Sequence, residues 1–221
     1  MDAAQVKTVN TALFMLGQEP VADLSEASLE GSNAARKILR GLDDARDVVL
    51  AAHGWVCALT YVTLNPAEID GYVNFRYPTV FYQPGDALHV WEVEGCRYDR
   101  RLGGWGPRWQ AGTVETVGGA RKIIRAARDH LWADGCVSAL EVAYVRRASW
   151  SALDTHVADA VAAEAAYRAC YSVTGDNARV ATLEKKAMAA RMEAIGADGT
   201  QEGGQPPLAP SIPQRLRDLS R

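Results

Sequence analysis

The sequence is poor in the residues from which active sites and covalent frameworks are built. Its 221 residues hold four cysteines, Cys57, Cys96, Cys136 and Cys170, far apart and without a Cys-x-x-Cys pair. Such spacing suits reduced thiols used as small apolar side chains rather than a disulfide framework. The four histidines, His53, His89, His130 and His156, are equally scattered. None has a second His, Cys or carboxylate at a spacing that local geometry turns into a metal site, so they are expected to be polar or helix-end histidines, with no metal and no cofactor. The chain also lacks a Gly-x-x-x-x-Gly-Lys-Ser/Thr phosphate loop, a Gly-x-Ser-x-Gly elbow, a His-Glu-x-x-His pair and an acidic calcium loop. No catalytic residue is assigned, and the chain is not expected to be an enzyme.

Long apolar runs are missing too. No segment approaches the roughly 20 apolar residues needed to span a bilayer. The first ten residues are interrupted by Asp2, Gln5, Lys7 and Asn10, unlike a signal peptide. A soluble protein made in a cytosol, with no membrane partner, is therefore expected. A net charge of -3 speaks against a chain devoted to gripping nucleic-acid phosphates, and 48% hydrophobic content excludes disorder throughout.

What is present begins with helices. Val6, Val9, Leu13 and Leu16 recur at helical steps, and Gly17 and Pro20 end the segment. Asp23 and Ser25 can cap a second, long helix striped by Ala35, Ile38, Leu42, Ala45 and Val49 as far as His53-Gly54, with Gly31 and Gly41 as weak points. From Trp55 onward aromatic and β-branched residues cluster between Gly and Pro. This predicts strands over 55–64, 79–82, 87–93, 114–117, 122–126 and 139–146. In the last, Leu140, Val142, Tyr144 and Arg146 share one face and Glu141, Ala143 and Val145 the other, so both faces are expected to be partly covered. An Ala-rich helix is predicted over 154–173, and after Thr174-Gly175-Asp176-Asn177 another reaches Ile195.

These elements predict an α+β protein. Residues 1–54 together with 152–195 would form a four-helix bundle, two helices from each end, and 55–151 an inserted antiparallel β region. Residues 196–221, rich in Gly and Pro, would form an extended arm in which Leu208, Ile212, Leu216 and Leu219 could anchor on a partner.

Two clusters invite functional readings. Asp43, Asp44 and Asp47 could be a carboxylate site, yet they flank an apolar helical stripe beside Arg36, Lys37, Arg40 and Arg46 and are better read as a solvated face. An enzyme built on Asp43, Asp44 and His53 would need a pocket joining them. The second cluster lies between Arg97 and Arg128. There Arg97, Arg100, Arg101, Arg108, Arg121, Lys122, Arg125 and Arg128 outweigh Asp99 and Glu115, with Tyr98, Trp105 and Trp109 interleaved. Basic residues with aromatics can stack on and neutralise nucleic acid, or can dock on an acidic protein surface. The acidic balance of the whole chain favours a protein partner over DNA, and solvated arginines are the plain alternative. Gly103-Gly104-Trp105-Gly106-Pro107 lacks the strand-then-helix context of a phosphate loop and reads as a tight turn.

Several stretches in order resemble one family. Val9-Asn10-Thr11-Ala12-Leu13-Phe14-Met15-Leu16-Gly17-Gln18-Glu19-Pro20-Val21 and Leu24-Ser25-Glu26 resemble an Asn-x-x-Leu helix, Leu-Gly, a Pro-hydrophobic turn and an acidic helix start. Arg46-Asp47-Val48-Val49-Leu50 leading to His53-Gly54-Trp55-Val56-Cys57-Ala58 is similar to a Trp-x-x-Ala entry into a sheet. Pro84-Gly85-Asp86-Ala87-Leu88-His89-Val90 is similar to Pro-x-Asp-x-Leu-x-Val, Glu141-Val142-Ala143-Tyr144-Val145 to a late strand, and 157–166 to an Ala-rich third helix. Together they resemble the head-to-tail adaptors of tailed bacteriophages, of the tail tubular protein A type, over roughly residues 6–195. The resemblance implies a virion protein at the head-tail interface. It would form a homo-oligomeric ring of about twelve copies closed by heterologous contacts, bound to the portal above and a tail or nozzle protein below. Genomic DNA would pass through the lumen without sequence-specific binding. A DNA-binding module using Arg97–Arg128 is the alternative.

Overall fold

The computed structural model describes residues 2–69, 79–93, 96–97, 109–116, 119–126 and 139–201. These form a mixed α+β protein with five α-helices and two antiparallel sheets. The described residues divide into two compact units, one made of those up to Ala58 and from Ala148 to Gln201, the other of those between Leu59 and Arg147.

In the first unit, α1 (Ala3–Met15) starts at Asp2, whose carboxylate accepts a hydrogen bond from the Ala4 N–H. It ends where Gly17 takes a positive φ of 65°. There the Gln18 N–H donates to Leu13 O and the Gly17 N–H to Phe14 O, both at 2.9 Å, which satisfies the last carbonyls of the helix. The long second helix expected from the sequence is two helices, α2 (Glu26–Gly31) and α3 (Asn33–Ala51). The break falls at Ser32, extended at φ -131° and ψ 95°, whose hydroxyl caps α3 through the Ala35 N–H at 3.2 Å. Gly31, next to the break, is one of the weak points; Gly41 stays helical. At the start of α2, hydrogen bonds from Ser25 and then Ser28 hold the Asp23 carboxyl down to about 2.

α4 (Thr155–Thr174) is buried nearly all round: Val157, Ala160, Val161, Ala162, Ala163, Ala165, Ala166 and Ala169 all lie in the core. Side chains that small let neighbours approach closely, and α4 packs against α1, α3 and the last helix, α5 (Asn177–Gln201). Within this packing the buried Glu164 accepts from Arg168 at 2.7 Å and from Arg191 of α5 at 2.9 Å. Arg46 of α3 is not a solvated counter-charge but buried, its guanidinium 4.7 Å from the Trp150 ring centre and 3.2 Å from Asp43. α5 also corrects an expected boundary, since it continues through Gly196 and Gly199 to Gln201 instead of giving way to an arm at 196.

The second unit has strands β1 (Leu59–Leu64), β2 (Thr79–Tyr82), β3 (Ala87–Val93), β4 (Cys96–Arg97), β5 (Trp109–Thr116), β6 (Gly119–Ala126) and β7 (Leu140–Arg146). They form one sheet in the order β1-β7-β3-β4 and another in the order β2-β6-β5. The first strand begins at Leu59, because Trp55–Ala58 belongs to the helical unit as a turn; β5 and β6 are longer than the sequence predicts, and β4 lies outside the predicted strands. Residues of both sheets meet in one apolar core: Phe81, Trp109 and Ile124 from one, Val62, Leu64, Val90, Val93, Leu140, Val142 and Tyr144 from the other. On β3 the buried residues Ala87, Val90 and Val93 are three apart rather than two. Register shifts between Ala87 and His89 and between Val90 and Glu92 each insert a residue against β7, which keeps Ala87, Val90 and Val93 on one face. Ala143 and Val145 are buried as well, so both faces of β7 are covered, as its sequence predicts.

Candidate functional site

The basic cluster read from the sequence is only partly within the described residues. Arg100, Arg101, Trp105, Arg108 and Arg128 lie outside them, as do the arm residues Leu208, Ile212, Leu216 and Leu219; of Arg97 only the backbone, in β4, is described. Trp109 departs from its expected role as a partner anchor. It is 4% exposed and packs in the core with Phe81 and Ile124.

Arg121, Ile123 and Arg125 alternate along β6 on the face opposite that core, while Lys122 and Ile124 share the core-facing side. Arg121 lies 5.2 Å from the Tyr82 ring centre. Arg125 crosses Gly112 of the paired strand, where an added Cβ would stand 3.5 Å from its guanidinium carbon. The exposed Lys122 ammonium reaches the Ala87 carbonyl at 3.4 Å. The three cations of the cluster that lie among the described residues with their side chains, Arg121, Lys122 and Arg125, are thus split between two faces of one strand.

The aspartates of α3 are not brought together with His53. Asp43 is largely exposed and pairs with Arg46, Asp44 is exposed, and His53 turns elsewhere. His53 belongs to a cluster that sequence spacing hides.

That cluster starts at Trp55. The indole is fully buried and its N–H donates to Val49 O at 2.9 Å, fixing the turn that follows α3. The His53 ring stands edge-on to Trp55, centroids 5.0 Å apart, which places its Nε2 3.3 Å from Asp198 Oδ2. Asp198, on the last turns of α5, is 1% exposed and also accepts from the Val56 N–H, at 3.2 Å to Oδ1. Asp154 and His156, at the start of α4, complete the group. One ligand atom from each of Asp154, His156 and Asp198 lies within 4.8 Å of the other two.

Asp154 is the N-cap of α4, a position that favours Asp because its carboxylate can accept from free helix N–H groups. Here it makes no such bond. His156 Nε2 is buried without a hydrogen-bond partner. Burial pushes the neighbouring Cys57 thiol up; a hydrogen bond to the Asp154 backbone opposes this, and the Asp154 and Asp198 carboxylates reinforce it. Two histidines, His53 and His156, thus stand beside carboxylates that local sequence spacing does not bring to them. The local signal was Asp154-x-His156 at a helix start; the third member lies in a helix far along the chain.

No helix among the described residues is long and apolar enough to cross a membrane. A scan against protein-family models finds no match to this chain, and a search of curated proteins finds none either.

Proposed function

We propose that this chain is a structural, non-enzymatic subunit of a tailed-bacteriophage head-to-tail adaptor. In this role α1, α3, α4 and α5 act as a four-helix bundle carrying the β region as an insertion. Copies pack side by side into a homo-oligomeric ring between portal and tail, around the passage for genomic DNA.

The observation that carries the proposal is where the adaptor-like motif residues fall. Asn10, Leu16-Gly17 and Trp55 hold the joints of the helical unit, and Asp86 and Tyr144 hydrogen-bond to each other at 3.2 Å in the sheet unit. Motifs that determine a fold, and not a reaction, are what a scaffold subunit would keep. The helical unit also presents apolar groups suited to a neighbouring copy: Phe14 of α1 is 83% exposed above an open recess lined by Val6, Lys7, Asn10 and Thr11, and Met188 and Met192 stand one turn apart and exposed on α5. Exposed apolar side chains of this kind suit contacts between neighbouring copies, as a ring closed by rotation requires.

Mixing the purified chain with portal protein and imaging by negative stain tests the proposal. A ring seated on the portal is expected, and persistent absence of any complex counts against it. The alternative, DNA binding by the Arg121 and Arg125 face of β6, makes a different demand: affinity for duplex or single strands that weakens steeply as salt rises.

A further inference from the structure

We infer that Asp154, His156 and Asp198 are the protein ligands of a divalent transition-metal site in the helical unit, with Zn2+ the ion their chemistry suits best. This goes beyond the adaptor role and does not depend on it.

Three features of these residues support the assignment. Two carboxylates and an imidazole nitrogen approach within 4.8 Å although they come from the start of α4 and the end of α5. Ligands around tetrahedral zinc, with bonds of about 2.0 Å, stand about 3.3 Å apart, so small side-chain rotations close the remaining distance. The Asp154 carboxylate forgoes the capping bond its position offers, which leaves its oxygens available. His156 Nε2 is a buried acceptor or donor without a partner, a state that costs about 1–3 kcal/mol unless something occupies it.

Charge selects a cation. Two carboxylates this close repel each other, and Asp198 is almost wholly removed from water. His53 offsets Asp198 only when protonated, and the N-terminus of α4 supplies only about half a positive charge, whereas a divalent ion neutralises both acids. His53 and the Val56 N–H already hold Asp198 in orientation, the kind of outer support that fixes a ligating carboxylate. A nitrogen donor among oxygens favours a borderline ion over Ca2+ or Mg2+, which prefer oxygen alone. Three protein ligands leave a fourth position for water. The ion would bind α4 to α5 and, through Asp198, to the turn after α3.

The full chain, purified reduced and stripped with chelator, can be titrated with Zn2+ by calorimetry and then melted with and without it. One ion per chain and a raised melting temperature are expected. Asp154→Asn and His156→Gln, both at partly exposed positions, should each weaken binding about tenfold or more while leaving the metal-free melt close to that of the parent. Co2+ should give visible bands of nitrogen and oxygen coordination that vanish in His156→Gln. No stoichiometric binding, unchanged affinity in both variants, or a thiolate-to-cobalt charge-transfer band showing that cysteines hold the metal would each overturn the inference.

Discussion

The Asn10 carboxamide pairs with the backbone of Val21 in both directions, Oδ1 accepting from the Val21 N–H at 2.8 Å and Nδ2 donating to Val21 O at 2.9 Å. One side chain thus does the work of a strand neighbour, and pins the Pro20 turn back onto α1. Asn10→Ala leaves both groups of Val21 without their partner, at a cost of about 1–3 kcal/mol. Asn10→Asp keeps the acceptor but loses the donor and sets a carboxylate against a carbonyl, so it should destabilise too. Urea unfolding followed by circular dichroism checks both. An unchanged midpoint for Asn10→Ala would show that water replaces the amide without loss.

Glu164 carries a different kind of joint. Its carboxylate is 6% exposed and takes Arg168 on its own helix and Arg191 from α5. The arginine ends are partly in water, so breaking the pair should cost less than the 3–5 kcal/mol of a wholly buried one, about 1–3 kcal/mol for Glu164→Ala. Glu164→Gln should recover part of this, because it still accepts from one guanidinium. If Glu164→Leu proved more stable than the parent, the pair would be a device for register rather than for stability.

How far the sequence discloses this fold depends on the range of the forces involved. Helical stripes such as Val9, Leu13 and Leu16, and β-branched runs such as 79–82, are local patterns, and α1, β2 and β3 fall where those patterns lie. The break at Ser32 hinges on a single cap, and α2 before it is too short and too exposed to carry a stripe of its own. Gly196 and Gly199 each weaken a helix by about 0.5–1 kcal/mol relative to Ala. Yet α5 runs through them, because Asp198 between them is tied to Val56 and His53 across 142 or more residues. The Asp154, His156 and Asp198 cluster was hidden for the same reason: two of its members are neighbours, but the third arrives only when α4 and α5 pack.

Tyr144 gives the sheet unit a pH signature. Its hydroxyl donates to Asp86 Oδ1, and burial first, then the Asp86 charge and that hydrogen bond, push the phenol above its usual value of about 10. A group whose folded value is raised contributes stability that is fully present below the unfolded value and is lost as pH climbs through the folded one. Stability should therefore be flat with respect to this group at neutral pH and fall from about pH 10 upward. Tyr144→Phe should lower neutral stability modestly and flatten that alkaline limb. If the alkaline slope is identical in both proteins, other groups cause it.

Trp109 separates a docking surface from a core. As a partner anchor on an exposed edge, its removal would leave folding intact and abolish assembly. Buried beside Phe81 and Ile124, it should instead behave as a large core side chain, and Trp109→Ala should cost the sheet unit about 3–5 kcal/mol. Trp109→Phe keeps an apolar ring and should cost much less. The Arg121→Glu and Arg125→Glu pair gives the complementary test: those side chains lie on the face away from this core, so a lost interaction with portal, tail protein or DNA at unchanged melting temperature would assign that face to a partner. If Trp109→Ala melted like the parent, the sandwich of the two sheets would not be what holds this unit together.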